Sequence, residues 1–442
     1  MAEQIAEFVR RTERYAADDV HAVLRLCDSG RLRCSEKTRR PAAATVVEVA
    51  KTLSAGDFYP DEPIAAFAWP LLVQAGGLAE ITGGKLQLTA KGRAALGKPA
   101  AGVVQALWRS WLTKGLIDEF SRVENIKGQR AANVLTAPKA RRQKVSEALA
   151  AQPPGEWVDV DGLFTQMKWT AWSPRVARSD RALWKLYLED PQYGSLGYAG
   201  FGDWELLEGR YTLAVLFEYA ATLGLIDVAY DKPGGARDDY HQNWGADYFD
   251  ALSRYDGLRA IRLNNLGAYA LGVHKHYTPP EPEAPGRTVK VLPNLDIVAV
   301  GSLTPAEVLI LESYARRTGD HVWTVSRDSL LAAIDAGRQP GEFALFLTAR
   351  AAQPELPGTL STLLDETAER AGRLTDLGQA RLIECADPAL AALISHDRKL
   401  RTLCKLIGDR HLAVPVEREP DFRRALTTLG YAVSTGASHR TG

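Results

Sequence analysis

A twelve-residue segment occurs twice in this chain, and this repeat constrains the fold more than any other sequence feature. Leu86–Gly97 reads LQLTAKGRAALG and Ile261–Gly272 reads IRLNNLGAYALG. Identical residues occupy equivalent positions in the two copies: Leu88, Gly92, Ala95, Leu96 and Gly97 in the first, and Leu263, Gly267, Ala270, Leu271 and Gly272 in the second. In each copy a short strand ends at Leu-Thr or Leu-Asn and a new helix begins.

The same kind of sequence precedes each copy. An apolar helical run ends in Gly-Leu and continues into a short strand, as GGLAEI at Gly76–Ile81 and as LGLIDV at Leu223–Val228. The resulting order of helix, Gly-Leu, strand, turn, strand and helix is the order of a winged helix. We therefore predict a mainly α protein with α+β parts, in which tandem winged-helix units precede a C-terminal α+β domain.

The helix before each first wing strand lacks side chains suited to reading DNA. In a DNA-reading winged helix this element enters the major groove and carries polar side chains for the base edges. The first, at 64–75, offers only Gln74 and contains Pro70, and the second, which begins at Arg210, is almost as apolar. Helices that are apolar on all sides are usually buried. We predict that both helices serve packing or partner docking.

Shifts in composition divide the chain into six segments. The clearest breaks are AQPPGEW around Pro153 and the proline-rich TPPEPEAPG at 278–286. We predict a helical and winged-helix domain at 1–100, a basic helical connector at 101–150, a second winged-helix domain with a long acidic wing at 151–277, a linker at 278–287, an α+β domain at 288–433, and a disordered tail at 434–442. The wing, at 229–255, is expected to be exposed and mobile.

Charge is balanced overall but unevenly distributed. The chain has 54 Lys and Arg against 54 Asp and Glu, which argues against a protein that coats nucleic acid by bulk attraction. Residues 101–150 hold nine basic and four acidic residues, whereas residues 201–250 hold three basic and ten acidic residues. This asymmetry indicates one face for phosphates and another for a partner, with an ordinary solvated surface as the alternative.

Two basic runs are the candidate nucleic-acid contacts. The run from Lys127 to Lys144 contains no acidic residue, and a shorter cluster lies at 37–40. Such runs neutralise phosphates and position a duplex without sequence preference, although a solvated connector has the same composition. The candidate residues are Lys37, Arg39, Arg40, Lys127, Arg130, Lys139, Arg141, Arg142 and Lys144.

Aromatic residues crowd the segment 157–204. Beside basic residues such as Arg181 and Lys185, they can stack on unpaired bases, although such clusters more often fill a core. Upstream, Trp108 and Trp111 lie on a helical apolar stripe and are predicted core residues. The clustered aromatics are Trp157, Trp169, Trp172, Trp184, Tyr187, Tyr193, Tyr198 and Trp204.

The sequence contains no motif of a nucleotide-driven motor. Such a motor needs the phosphate-binding loop G-x-x-x-x-G-K-[ST]. The Gly-Lys pairs at 84–85 and 97–98 are followed by Leu86 and Pro99, so neither supplies the hydroxyl group that holds Mg²⁺. The Gly-x-Ser-x-Gly elbow of hydrolases is also absent. We predict no catalytic residues and no cofactor, and we expect any ATPase to be another chain.

The cysteines and histidines do not have the spacing of a metal site. Cys27 and Cys34 are separated by six residues, and His274 and His276 by one, so neither pair fits a structural zinc site. The four cysteines are scattered and are expected to be reduced and partly buried. Because no apolar run is long enough for a membrane helix and the N-terminus is not a secretory signal, we expect a cytoplasmic protein without a membrane partner.

The last third of the chain carries four sequence blocks in a recognisable order, beginning with VLPNLDIVAVGSL and VWTVSRDSLLAAIDAGRQPGEFALFL and continuing with ELPGTLSTLLDETAERAGRL and RLIECADPALAALISHDRKL. From Lys290 to about Val433 the chain resembles the helicase-associated domain found beside the N-terminal region of XPB-type DNA helicases and in stand-alone bacterial proteins. The resemblance implies a module that accompanies DNA-translocating enzymes. It supplies no catalytic residues.

These observations predict a non-catalytic accessory or adaptor protein for DNA transactions. It would dock on a helicase or related ATPase and contact DNA through phosphates without reading sequence. No small-molecule substrate is indicated. Two alternatives remain open: a winged-helix transcriptional regulator, and a nucleic-acid-processing enzyme whose active site is dispersed over the domains.

Overall fold

The computed structural model describes residues 6–280, 286–353, 355–371, 373 and 378–434, which form a mixed α/β fold. The chain divides into two compact units, Met1–Ala368 and Glu369–Gly442. The predicted α+β domain at 288–433 is therefore divided between them. Residues 281–285 of the predicted linker and residues 435–442 of the predicted tail lie outside the described residues.

The N-terminal part of the first unit is helical with a small hairpin. Between α1 and α2, Arg33 pairs with Lys85, so a short extended segment lies beside the hairpin. β2 and β3 pair antiparallel, with Ala79 opposite Leu88. The elements are β1 (Phe8–Arg10), α1 (Glu13–Asp28), α2 (Ala43–Thr52), α3 (Ala65–Ala75), β2 (Ala79–Thr82), β3 (Lys85–Leu88), α4 (Ala90–Leu96) and α5 (Ala100–Lys114).

The middle of the first unit repeats this order with a long insertion. The elements are α6 (Pro138–Ala150), β4 (Trp157–Asp159), α7 (Val160–Lys168), α8 (Asp180–Leu183), α9 (Arg210–Ala214), β5 (Ile226–Tyr230), β6 (Leu258–Leu263) and α10 (Asn265–Ala270). π-helical turns at Glu205–Gly209 and Val215–Ala221 flank α9. We call the continuous segment 205–221 the central helix. The strands form an antiparallel sheet in the order β1-β5-β6-β4.

The C-terminal region contains two further sheets. In the first unit, the four-stranded sheet has the order β7-β8-β10-β9, and in the second unit the three-stranded sheet has the order β11-β13-β12. α14 contains the boundary between the units. The elements are β7 (Val289–Val291), β8 (Asp296–Ala299), α11 (Pro305–Tyr314), β9 (Arg316–Gly319), β10 (Val322–Thr324), α12 (Arg327–Asp335), α13 (Pro340–Arg350), α14 (Gly358–Ala371), β11 (Ala380–Glu384), α15 (Pro388–His396), β12 (Lys405–Ile407), β13 (His411–Pro415) and α16 (Glu419–Thr428).

Within the first unit, α1 is tied to the region that follows β7. Arg25 on α1 pairs with Glu342 on α13. Arg338 donates to Asp28 at the end of α1, with 2.6 Å between Nη2 and Oδ2. These contacts join residues more than 300 positions apart, so residues 289–368 belong to the same compact unit as the N-terminus.

The two predicted winged-helix domains share one hydrophobic core. A single cluster of buried side chains runs from α1 through α3 and α5 to the central helix and β6. Trp108 and Trp111 are buried as predicted, and the ring of Trp111 stacks on Tyr219 of the central helix with 4.5 Å between centroids. The segment 101–150 is not a separate connector, because α5 and α6 both contribute buried residues to this core.

α3 and the central helix are buried, as their apolar sequences predict. Every residue of α3 except Gln74 is buried, including Pro70. In the central helix, residues 206–221 are all buried. Neither helix therefore presents a face to a DNA groove.

Many residues of the acidic wing are exposed, as predicted, but other residues of the wing are buried against the protein. Arg210 is buried in the central helix and pairs with Asp239 at 2.6 Å and with Asp256 at 3.0 Å. Leu252 and Tyr255 are also buried. These contacts anchor the wing to the central helix, and part of its negative charge is neutralised inside the protein.

The repeated sequence builds the same helix start twice. The hydroxyl oxygen of Thr89 accepts a hydrogen bond from the amide of Gly92 at 3.1 Å. The amide oxygen of Asn264 accepts the corresponding bond from Gly267 at 2.9 Å. Each side chain satisfies an amide in the first helical turn, which has no intrahelical partner. The Thr and Asn of the repeat are therefore helix N-caps.

The first glycine of each copy, Gly92 or Gly267, also allows close contact with the preceding Gly-Leu turn. A Cβ atom on Gly92 would lie 2.0 Å from the carbonyl oxygen of Leu78, and one on Gly267 would lie 2.0 Å from the carbonyl oxygen of Leu225. No side chain fits at that distance from backbone. The repeat therefore records a packing constraint at two equivalent corners of the fold.

Replacing Gly92 or Gly267 by alanine is expected to destabilise the protein. Gly92→Ala and Gly267→Ala each place a methyl group against a backbone carbonyl, which costs about 1–3 kcal/mol of the free energy of unfolding. Gly97→Ala is the matched control within the repeat, because Gly97 has φ −91° and open space around its Cβ position. Its effect should stay within about 0.5 kcal/mol. Chemical denaturation of the three variants tests the assignment, which equal stabilities would contradict.

Candidate nucleic-acid interface

Three of the predicted basic residues line one cleft. Arg40, Lys127 and Arg130 surround a cavity of about 730 Å³, together with Tyr187. Arg40 lies between α1 and α2, whereas Lys127 and Arg130 lie between α5 and α6. The sequence predicted these residues as two separate runs, and the tertiary structure brings members of both runs together. We call this cavity the basic cleft.

A tight turn and two side-chain bonds hold Arg40 in the basic cleft. The amide of Ser35 donates to the carbonyl oxygen of Arg40 at 2.9 Å, which closes the turn. Arg40 itself donates to the hydroxyl oxygen of Ser121 at 2.6 Å. The side-chain Nε2 of Gln74 donates to the carbonyl oxygen of Arg39 at 3.1 Å. Gln74, the only polar candidate on α3, therefore supports this turn.

Lys127 lies where two chain segments cross closely. Its amide donates to the carbonyl oxygen of Tyr187 at 2.7 Å, and its Nζ donates to the carbonyl oxygen of Glu124 at 2.9 Å. Gly128 has φ +82°, and a Cβ atom there would lie 1.7 Å from the carbonyl oxygen of Lys185. Only glycine fits this crossing, so the floor of the basic cleft has a fixed geometry.

The acidic residues of the basic cleft have cationic partners. Asp118 pairs with Arg141 at 2.5 Å. Glu124 lies 3.8 Å from Arg122 and 3.5 Å from Arg254. Arg122 is already paired with Glu218, so Arg141 and Arg254 are the cations that offset Asp118 and Glu124. Arg40, Lys127 and Arg130 then give the basic cleft its positive character.

Arg141 and Arg142 are not surface cations, so their predicted contact with phosphate is wrong. Both side chains are buried, with 1% and 2% of their surface exposed. Arg142 donates to Glu119 at 2.8 Å and to the carbonyl oxygen of Ile117 at 2.8 Å. Leaving a buried charge unpaired costs far more free energy of folding than losing an ion pair at the surface. Both arginines therefore stay buried beside their acidic partners.

The remaining candidates lie outside the cleft lining. Lys37 and Arg39 are exposed on the turn beside Arg40, and Lys139 is exposed in the first turn of α6. Lys144 is half-buried and pairs with Glu147 at 3.0 Å. Their phosphate contacts stay predictions.

A buried network of charged and phenolic groups supports the cleft and escaped the sequence analysis. Arg122 pairs with Glu218 of the central helix at 2.9 Å and lies 3.7 Å from the ring centroid of Phe67 on α3. Tyr255 also donates to Glu218. Burial opposes the charged form of Arg122, yet the attraction of Glu218 raises its pKa above the ordinary value. The only local signal was Glu218 within an apolar helix, because Arg122 lies in the polar segment DEFSRVEN.

Glu208 is a buried carboxyl group of a different kind. It lies in the central helix with 5% of its surface exposed and accepts a hydrogen bond from the amide of Val176 at 2.9 Å. Burial raises its pKa to about 7, and the hydrogen bond from Val176 only partly opposes that shift. The neutral carboxyl group is therefore favoured in the folded protein.

The aromatic segment divides into core and surface. Trp204 is buried, whereas Trp169, Trp184, Tyr193 and Tyr198 are exposed. The common expectation that such a cluster fills a core thus holds for only part of it. The exposed members lie in the insertion between α7 and the central helix.

Comparison with known proteins gives one family match. Residues 297–406 match the family described as Helicase conserved C-terminal domain. The C-terminal region therefore carries a helicase-associated type of domain, as the sequence blocks predicted. A search of curated proteins found no match.

The structure adds several findings on the predicted chemistry. Cys27, Cys34 and Cys385 are buried, Cys404 is half-buried, and all four are free thiols. Across the described ranges, no three or more His, Cys, Asp or Glu side chains converge as metal ligands. Every helix in that part of the chain is too short or too polar to traverse a bilayer.

Removing the buried Arg142 should destabilise the protein strongly. Arg142→Ala leaves Glu119 buried without its cation, which costs about 3–5 kcal/mol of the free energy of unfolding. Lys139→Ala, an exposed residue one turn earlier on α6, is the matched control and should change stability by less than about 0.5 kcal/mol. Urea denaturation separates the two, and a stable Arg142→Ala variant would show that the pair is not structural.

Glu208 should make stability depend on pH. A carboxyl group whose pKa is raised by folding stabilises the fold below its unfolded pKa, and this contribution is lost as pH rises through the folded value. Relative to Glu208→Gln, the wild type should lose about 3 kcal/mol between pH ~5 and ~8. Glu205→Gln, a change at a partly exposed residue paired with Lys168 at 3.1 Å, is the control. Parallel pH profiles for wild type and Glu208→Gln would contradict the raised pKa.

Proposed function

We propose that this chain is a non-catalytic accessory protein of DNA transactions that holds nucleic acid by its phosphates. The observation that carries the proposal is the basic cleft, where Arg40, Lys127 and Arg130 come together from two parts of the chain. The acids beside them, Asp118 and Glu124, lie next to Arg141 and Arg254. Phosphate contacts of this kind position a duplex without reading its sequence.

The upstream elements are best described as two winged-helix units. In the first, the segment at Arg33 pairs with β3, which pairs with β2. In the second, β4 pairs with β6, which pairs with β5. Each unit thus has the order helix, strand, helix, helix and hairpin, with its first strand beside its last. The shared helix-capping repeat after each hairpin supports the same assignment.

The C-terminal region supports a helicase-related role. The family match at 297–406 describes a helicase domain, and the chain contains no phosphate-binding loop of a motor. We therefore assign ATP hydrolysis to a separate protein and the contact with that protein to the C-terminal region. The alternative of a sequence-reading regulator is disfavoured, because α3 and the central helix are buried.

Charge removal in the basic cleft tests the proposal. Lys127→Ala combined with Arg130→Ala should lower affinity for a random duplex about five- to tenfold near ~0.1 M salt. The slope of log affinity against log salt should also become shallower by about 1–2. Fluorescence anisotropy at two or more salt concentrations measures both quantities.

A charge-matched control makes the test specific. Arg109→Ala combined with Lys114→Ala removes the same charge from exposed positions on α5 outside the cleft lining. It should leave both quantities nearly unchanged. Equal losses from the two double variants would contradict a localised site, tight binding to one operator sequence would favour a regulator, and DNA-stimulated ATP hydrolysis by the purified chain would contradict a non-catalytic role.

A further inference from the structure

Two pairs of aromatic side chains are exposed on the insertion and the wing. Trp184 and Tyr198 are 51% and 64% exposed, with ring centroids 4.9 Å apart. Tyr193 and Trp244 are 55% and 51% exposed, with centroids 5.5 Å apart. Large aromatic residues normally contribute to cores or interfaces, so four exposed rings in two pairs indicate a binding surface. We call these four residues the aromatic face.

One turn of the chain connects the two pairs, and the rings of Trp184 and Tyr198 have defined contacts. The hydroxyl group of Tyr198 donates to the carbonyl oxygen of Gln192 at 3.0 Å, next to Tyr193 in the chain. Gly197 lies under Trp184, since a Cβ atom there would be 2.3 Å from the indole ring. The amides of Gln192 and Tyr193 both donate to Asp190, at 2.7 and 2.9 Å. The turn is thus fixed, and the carboxylate of Asp190 is engaged with backbone.

The aromatic face continues the wall of the basic cleft. Tyr187 lines the cleft and pairs with Lys127, and Trp184 stands three residues earlier on the same segment. Between them, Lys185 is exposed and its Nζ donates to the carbonyl oxygen of Ala132 at 3.4 Å. The wall therefore passes from cations to exposed rings within four residues of chain.

We propose that the aromatic face stacks unpaired bases of single-stranded nucleic acid while the basic cleft holds the neighbouring phosphates. Proteins that bind single strands combine a positive groove with aromatic side chains. The groove binds the phosphates, and the aromatic rings stack on the π-faces of the bases. The phosphate part rests on the proposed function, whereas the stacking part rests on the exposure of the four rings, which meet edge to face in one pair and at a tilt of 43° in the other. In a duplex the bases stack on each other and are not free to stack on these rings.

Oligothymidine about 16 nucleotides long is the probe, since it has no stable secondary structure and covers a typical binding site. Trp184→Ala with Tyr198→Ala, and separately Tyr193→Ala with Trp244→Ala, should each weaken its binding about tenfold, as expected for losing one stacked base. Binding of a random duplex should be unchanged. Fluorescence anisotropy on the full chain measures both affinities, and circular dichroism confirms folding.

Two further variants make the result specific to stacking. Trp169→Ala is the matched control, because Trp169 is 80% exposed and belongs to neither pair. It should bind oligothymidine like the wild type. Trp184→Phe keeps an aromatic ring and should retain most of the affinity, so it separates stacking from damage to the turn at Gly197.

The outcomes distinguish this inference from the proposed function. Wild-type affinity of both aromatic double variants for oligothymidine overturns the stacking proposal, whatever the cleft variants do. Equal loss of single-strand and duplex binding would also overturn it. If the aromatic variants lose single-strand binding while Lys127→Ala with Arg130→Ala does not, stacking stands and the phosphate role of the cleft fails.

Discussion

The ion pair between Arg122 and Glu218 is the interaction on which the rest of the structure depends. It lies in the interior of the first unit, where Arg122 also covers Phe67 of α3 and Glu218 belongs to the central helix. The two opposite charges are 2.9 Å apart. Burying either charge without the other would carry a large desolvation cost. Consequently α3, the 118–124 turn and the central helix have one arrangement relative to one another.

Burying both of these helices changes where the molecule can meet nucleic acid. In a DNA-reading winged helix the corresponding helix is exposed to the groove. Here that surface packs in the shared core. The candidate segments for contact with nucleic acid are therefore the loops and the long insertion between α7 and the central helix. The basic cleft and the aromatic face both lie on those segments. Loops on a rigid scaffold commonly carry binding residues.

The region matching the helicase family spans residues of both compact units. Its first part, up to Ala368, belongs to the unit that contains α1. Within that unit, Arg338 donates to Asp28 at the end of α1 at 2.6 Å. Its last part, to residue 406, includes the strand β11 and helix α15 of the second unit. The family match therefore describes sequence relatedness, whereas the compact units follow where buried side chains cluster.

The sequence by itself determined the elements whose causes are local. The repeat predicted two strand-to-helix corners. The structure explains Gly92 and Gly267, because a Cβ atom there would lie 2.0 Å from the carbonyl oxygens of Leu78 and Leu225. Tertiary structure alone decided which basic residues remain at the surface. Arg141 is buried and Lys127 is exposed within one basic run, because Asp118 pairs with Arg141. No local sequence pattern predicts this pair. Burial depends on contacts between distant segments, so composition could indicate the charges but not their solvent exposure.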